Sequence, residues 1–178
     1  FSIAWIFSVS YYGSDYIYAL IGIAVTLLII SIILAIGLLL GGIGYFGVRR
    51  NYGSGVGLAG FALSIVVFVF IFINMVLAMI VIASYNPSDP FSFLMWFFVA
   101  LISSFVTLIL FGVTQILWGV SHIVTRKYTG HSGLALTTGI MLIISGVLTM
   151  TTTFVGIILF FVSEILAAIL FLVSQVPE

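Results

Sequence analysis

Four stretches of this chain, residues 17–48, 57–83, 91–124 and 133–176, contain one charged side chain between them, Glu164. Each is longer than the ~20 apolar residues that carry a helix across a ~30 Å hydrocarbon core. In lipid every backbone polar group must be paired internally, which a helix achieves within its own segment. Charged residues make up 4% of the chain, against about 25% in a soluble domain. No water-facing surface can be built from that composition. The expected fold class is an all-α integral membrane protein.

The basic residues sit in the breaks between stretches. One break reads Arg49-Arg50-Asn51-Tyr52-Gly53-Ser54-Gly55-Val56-Gly57-Leu58-Ala59, and another reads Arg126-Lys127-Tyr128-Thr129-Gly130-His131-Ser132-Gly133-Leu134-Ala135. Both carry a basic pair, a tyrosine, small or polar residues and then Gly-Leu-Ala. Gly42 and Gly119 stand equally far before the two basic pairs. The pattern reads as a tandem repeat of one helical hairpin. Pro87 and Pro90, with Asn86 and Asp89, make the third break a turn.

These signals predict four long transmembrane helices, arranged as two tandem helical hairpins in a single membrane domain, 1–178. Residues 1–16, rich in aromatic and small polar side chains, read as an interfacial segment. Hairpin repeat 1 covers 17–85, hairpin repeat 2 covers 86–161, and 162–178 form an outer helical extension. The last stretch reads as one continuous helix. Thr138, Ser145, Thr149, Thr152, Gly156, Ser163 and Ala167 keep one helical phase, and no Pro, Asn or Gly pair interrupts Thr151-Thr152-Thr153. Such a helix would be about 66 Å long. Its outer part, with Leu166 and Leu170, is expected to meet a partner or the N-terminal segment.

Arg49, Arg50, Arg126 and Lys127 all lie in two turns, whereas Asp15, Asp89 and Glu178 lie at the other helix ends. The positive-inside rule then places the protein in the cell membrane with four spans, both basic turns cytoplasmic and both termini outside.

Small residues point to helix packing. Gly37, Gly41 and Gly44 share a face of the first stretch, Gly57 and Gly60 open the second, Gly112 and Gly119 lie on the third, and Gly156 lies on the fourth. Small side chains let helix backbones approach closely in lipid. The third stretch carries a narrow stripe of Ser104, Gly112, Gln115, Gly119 and His122, which reads as a packing seam or a lined path. The polar candidates are Asn74, Gln115 and Glu164. An amide in lipid needs a partner, so Asn74 is expected to bond a neighbouring helix. Glu164, about 45 Å along an unbroken helix, is expected at the outer interface.

Several chemistries lack their parts. There is no cysteine, and the formal net charge is zero, which argues against nucleic acid as a partner. No phosphate loop, zinc motif or nucleophile–base pair occurs. His122 and His131 read as interfacial histidines beside basic residues. No catalytic residue, cofactor or metal is expected, and the protein is not expected to be an enzyme.

The repeated basic, glycine-rich turns between apolar helices resemble those of uncharacterised multi-spanning membrane proteins of archaea, over about residues 37–160. That family implies no activity and no site residues. The expected function is a non-catalytic structural or accessory subunit of a larger membrane assembly, such as a respiratory oxidase-type energy-converting complex. The alternatives are a structural coat or envelope protein of a membrane-containing particle, and a small channel or carrier. The expected partners are membrane lipids and other membrane subunits or copies of the chain.

Overall fold

A computed structural model of the chain describes residues 14–84 and 90–173. Among them are five α-helices: α1 Ser14–Tyr52, α2 Gly55–Ala83, α3 Pro90–Thr125, α4 Ser132–Thr151 and α5 Thr153–Val173. A 3-10 turn, Arg126–Tyr128, precedes α4. Each of the five includes a segment long and apolar enough to cross a membrane. Most of the expected interfacial segment, most of the proline-containing link, and Glu178 lie outside the described residues.

The helix ends follow local chemistry. Gly53 and Gly130 both adopt φ 69°, a left-handed conformation that costs glycine nothing sterically and ends a helix cleanly. The Ser54 hydroxyl accepts the Gly57 N–H at 3.3 Å and caps α2.

The chain divides within α1 into two compact units, Phe1–Ile36 and Gly37–Glu178. The described part of the first, residues 14–36, is helical throughout. The second holds the bundle.

Within that bundle α3 and α4 are antiparallel. Gly112 packs on Gly146 and Gly119 on Gly139, so positions advance on one helix as they recede on the other. A methyl group on Gly119 would stand 2.5 Å from the Gly139 carbonyl oxygen, and one on Gly139 would stand 2.7 Å from that of Gly119. Gly112 and Gly146 block one another in the same way, at 2.6 and 2.5 Å. These backbones approach as closely as they do only because no side chain intervenes.

The fourth stretch is not one helix. Thr152, at φ −137° and ψ 70°, leaves the α-region and separates α4 from α5. Thr151 and Thr152 supply the means. The Thr151 hydroxyl donates to the Val147 carbonyl at 3.1 Å, and that of Thr152 donates to Leu148 at 3.3 Å. β-Branched residues are poor helix formers, and a hydroxyl that bonds back to a carbonyl one turn earlier loosens and bends the helix. Beyond the break α5 runs back. Phe160 packs on Phe111 and Phe171 on His122, so α5 ascends alongside α3 and antiparallel to α4. Gly156 lies directly on the Thr149 backbone, and the Ser145 hydroxyl donates to the Gly156 carbonyl at 2.9 Å.

This corrects three expectations. There is no single helix over 133–176. Residues 162–173 are no outer extension, because Ala167 and Leu170 are buried within the bundle. The C-terminal end of α5 lies at the end of the basic turns rather than opposite them. The shared phase of Thr138, Ser145, Thr149, Ser163 and Ala167 is real, and all five are buried. It marks two small-residue faces folded onto a common interior.

The helices differ in reach. At 20 and 21 residues, α4 and α5 are each about 30 Å long. The α3–α4 pairing brings Thr151 level with Thr107, which holds Asn74 of α2 at 2.6 Å. Past that level, residues 90–106 of α3 continue for about 25 Å, antiparallel to α2. Phe91, Leu94, Met95, Phe98, Leu101, Ile102 and Phe105 are exposed there.

Candidate functional site

The polar groups of the bundle collect at two levels. The first is a clamp in the α3–α4–α5 seam. Gln115 is fully buried; its amide donates to Thr149 Oγ1 at 3.3 Å, and its carbonyl accepts from the Ser145 hydroxyl at 2.6 Å. Thr149 also donates to the Ser145 carbonyl at 2.9 Å. With Ser145 on the Gly156 carbonyl, one amide ties three helices together. An amide left unpaired at this depth would cost several kcal/mol, so the clamp specifies the register of the seam. Thr107 and Ser104 complete a smaller network with Asn74, at 2.6 and 3.4 Å.

The second level lies closer to the basic turns and is built around Tyr45 of α1. Its ring stacks on Trp118 of α3, with centroids 4.6 Å apart and planes 11° from parallel. Its hydroxyl and His122 Nε2 share a hydrogen bond of 2.7 Å. Phe171 of α5 meets both rings edge-on or tilted, at 6.3 Å from Tyr45 and 5.6 Å from His122. The indole of Trp118 occupies a socket between Gly41 and Gly60, where methyl groups would stand 2.8 and 2.6 Å from its carbons. Among the described residues its N–H has no hydrogen-bond partner, nor has the buried hydroxyl of Ser121.

Glu164 stands near the middle of α5, one turn beyond Phe160 and two turns before Phe171, on their shared face. Phe160 stacks towards Trp118 at 6.4 Å. The carboxyl therefore stands on the face of α5 that packs on the aromatic cluster rather than out at an interface. Its Oε1 is buried with no hydrogen-bond partner among the described residues. The expected outer position of Glu164 required an unbroken helix; the fold-back at Thr152 returns it to the interior. The Tyr45 phenol and the His122 imidazole, hydrogen-bonded to one another, are groups that hold and exchange a proton. They include no activated nucleophile.

His122 is buried on Tyr45, whereas His131 is exposed at the start of α4. The two do not converge. Among the described residues no three His, Cys, Asp or Glu side chains group as metal ligands. The stripe of the third stretch is divided among neighbours: Ser104 faces α2, Gly112, Gln115 and Gly119 face α4, and His122 faces α1.

The glycines named from sequence have unequal surroundings. Gly112, Gly119 and Gly156 meet backbone, Gly41 and Gly60 meet Trp118, and Gly44 makes an ordinary contact with Phe171 at 3.8 Å. Gly57 is buried and donates to the Ser54 cap. Gly37 is exposed, with nothing among the described residues within 4 Å of an added methyl. Gly139, Gly146, Tyr45 and Trp118 belong to the site but are absent from the sequence-based candidates. A signal exists for the glycines: Gly139 and Gly146 repeat, in mirror order across the turn, the seven-residue spacing of Gly112 and Gly119.

At the basic end Tyr52 stacks on Tyr128, with centroids 5.7 Å apart and planes 16° from parallel. The Lys127 ammonium lies over the Tyr128 ring at 4.8 Å. The side chains of Arg50, Arg126 and Lys127 are exposed.

No protein-family model, curated protein or solved structure matches the chain.

Proposed function

We propose that the chain is a non-catalytic membrane subunit that anchors a larger assembly through the free part of its α2–α3 hairpin. One observation carries this reading. Residues 90–106 of α3 reach about 25 Å past the α4–α5 turn, and the antiparallel part of α2, residues 75–83, about half as far, with large apolar side chains exposed along them. The five-helix end is already as tall as a bilayer core. An apolar hairpin of that length standing in water would far exceed the patches soluble surfaces tolerate; other protein or further lipid must cover it. The small-residue seams and the lack of an activated nucleophile support a role in assembly.

The same reading puts the chain in the cell membrane with five crossings. The basic turns are cytoplasmic by the positive-inside rule, and α5 ends on their side. The two hairpins are then related by a pseudo-two-fold axis along the membrane normal. Tyr45 and His122, 77 positions apart, hydrogen-bond one another, and Tyr52 stacks on Tyr128.

The test is extraction of the native protein in mild detergent, followed by sizing. Phe98→Asp with Leu101→Asp should release the inserted chain from its assembly. An unchanged assembly size overturns the subunit reading. A carrier reading is favoured by the unpaired Glu164 oxygen; it predicts that Glu164→Gln abolishes transport in vesicles while leaving assembly intact.

A further inference from the structure

The two basic turns, remote in sequence, form one surface. The Tyr52–Tyr128 stack joins them, and on either side of it stand Arg50, Arg126 and Lys127, all exposed. His131, also exposed, follows in the second turn. Neither turn contains an acidic residue, so no carboxylate within them neutralises these cations. Lys127 lies over Tyr128, which couples one of the cations to the stack that joins the turns. The patch sits where three apolar helices end and two begin, at the level where lipid headgroups meet water.

We propose that this joined surface binds the phosphate of an anionic phospholipid headgroup, with the guanidinium groups of Arg50 and Arg126 and the ammonium of Lys127 as its ligands. Guanidinium groups pair with phosphate oxygens through two parallel N–H bonds, and an ammonium adds a point charge. Basic groups gathered between transmembrane helices on the cytoplasmic side recognise headgroups of this kind. The Tyr–Tyr stack makes the surface one site, because it holds charges from both turns within reach of a single headgroup. A lipid is the occupant rather than free phosphate, since the acyl chains would lie along apolar helix surface directly beneath.

The experiment is native mass spectrometry of the full chain, released from micelles containing equal amounts of phosphatidylglycerol and phosphatidylcholine. Retention of phosphatidylglycerol is expected. The preference should fall about fivefold for each basic residue replaced in Arg126→Gln and Lys127→Gln. Tyr52→Leu removes no charge but separates the turns, and it too should weaken the preference. Raising ionic strength should weaken it in the unaltered chain, a reading independent of any variant. Equal retention of both lipids overturns the proposal. So does a preference untouched by Tyr52→Leu, which would mean that the charges act singly, or one abolished by millimolar inorganic phosphate, which would mean a site for the free anion.

Discussion

The α3–α4 hairpin and the pair α1–α2 begin from the same sequence material, glycine-bearing apolar helices joined by a basic turn, and they use it in opposite ways. In α3–α4 the glycines meet backbone. Gly112, Gly119, Gly139 and Gly146 each stand against the carbonyl of a glycine on the other helix, and the seam closes with no side chain between. In α1–α2 the glycines receive side chains. Gly41 and Gly60 accept the faces and edges of Trp118 from α3, and Gly42 meets the Ser64 side chain. One hairpin is closed and the other is wedged. A missing Cβ therefore provides two different things in lipid: contact between main chains, or a socket for a ring. The second makes Trp118 the centre of a core with Leu38, Tyr45, Val67, Phe111, Leu142 and Phe160.

The largest expected effect falls on the wedge. Trp118→Ala empties the socket and removes the stack on Tyr45, and should lower stability by about 3–5 kcal/mol, read as the unfolding midpoint in detergent. A loss no greater than that of an exposed substitution would show that α1–α2 is held by something other than the ring. Next comes the pair Gly119→Ala and Gly41→Ala. The first forces two backbones apart and should cost about 2–3 kcal/mol. The second displaces a ring edge that can slide, and should cost about 1 kcal/mol, at the lower limit of overpacking. Equal costs would erase the distinction between closed and wedged seams. Gln115→Leu should cost about 1 kcal/mol, because the Ser145 and Thr149 hydroxyls retain the carbonyls of Gly156 and Ser145 as acceptors. The smallest effect belongs to Gly37→Ala. The site is open, so the change should leave stability unaltered or raise it by up to about 1 kcal/mol.

Much of the architecture is legible in the order of the amino acids. Charge-free stretches mark the helices, and Gly53, Gly130 and the basic pairs mark their ends. Helical phase marks the buried small residues of α4 and α5. The break at Thr152 is hidden because it uses none of the usual breakers. The Thr151 and Thr152 hydroxyls bond carbonyls of the preceding turn, which loosens a helix with neither proline nor glycine. Helical phase misleads here for a related reason. Two helices that fold onto a common interior present small faces to it, and these faces happen to align along the sequence. The packing of α5 on the Tyr45–His122 pair stays out of sight as a result. With Glu164 projected outward along a rod, nothing indicates that the face of α5 bearing Phe160 and Phe171 meets rings from α1 and α3. Trp118 and Tyr45 cannot be told from ordinary apolar filler, since a ring's role depends on the glycines facing it across the bundle.

Thr152 also bears on parity. With α4 and α5 as separate crossings the chain traverses the bilayer an odd number of times; fused into one rod, they would make the number even. The end of α5 changes sides between these outcomes, and Glu164 moves between the bundle and the outer interface. A cysteine at Ser174 should therefore label from the same face as one at Ser54, and from the face opposite one at Ser88. Replacing Thr151, Thr152 and Thr153 by alanine, a strong helix former without a hydroxyl, should move the Ser174 label to the other face while Ser54 and Ser88 keep theirs. A single pair of dihedral angles in a run of three threonines would then determine which compartment the end of this protein inhabits.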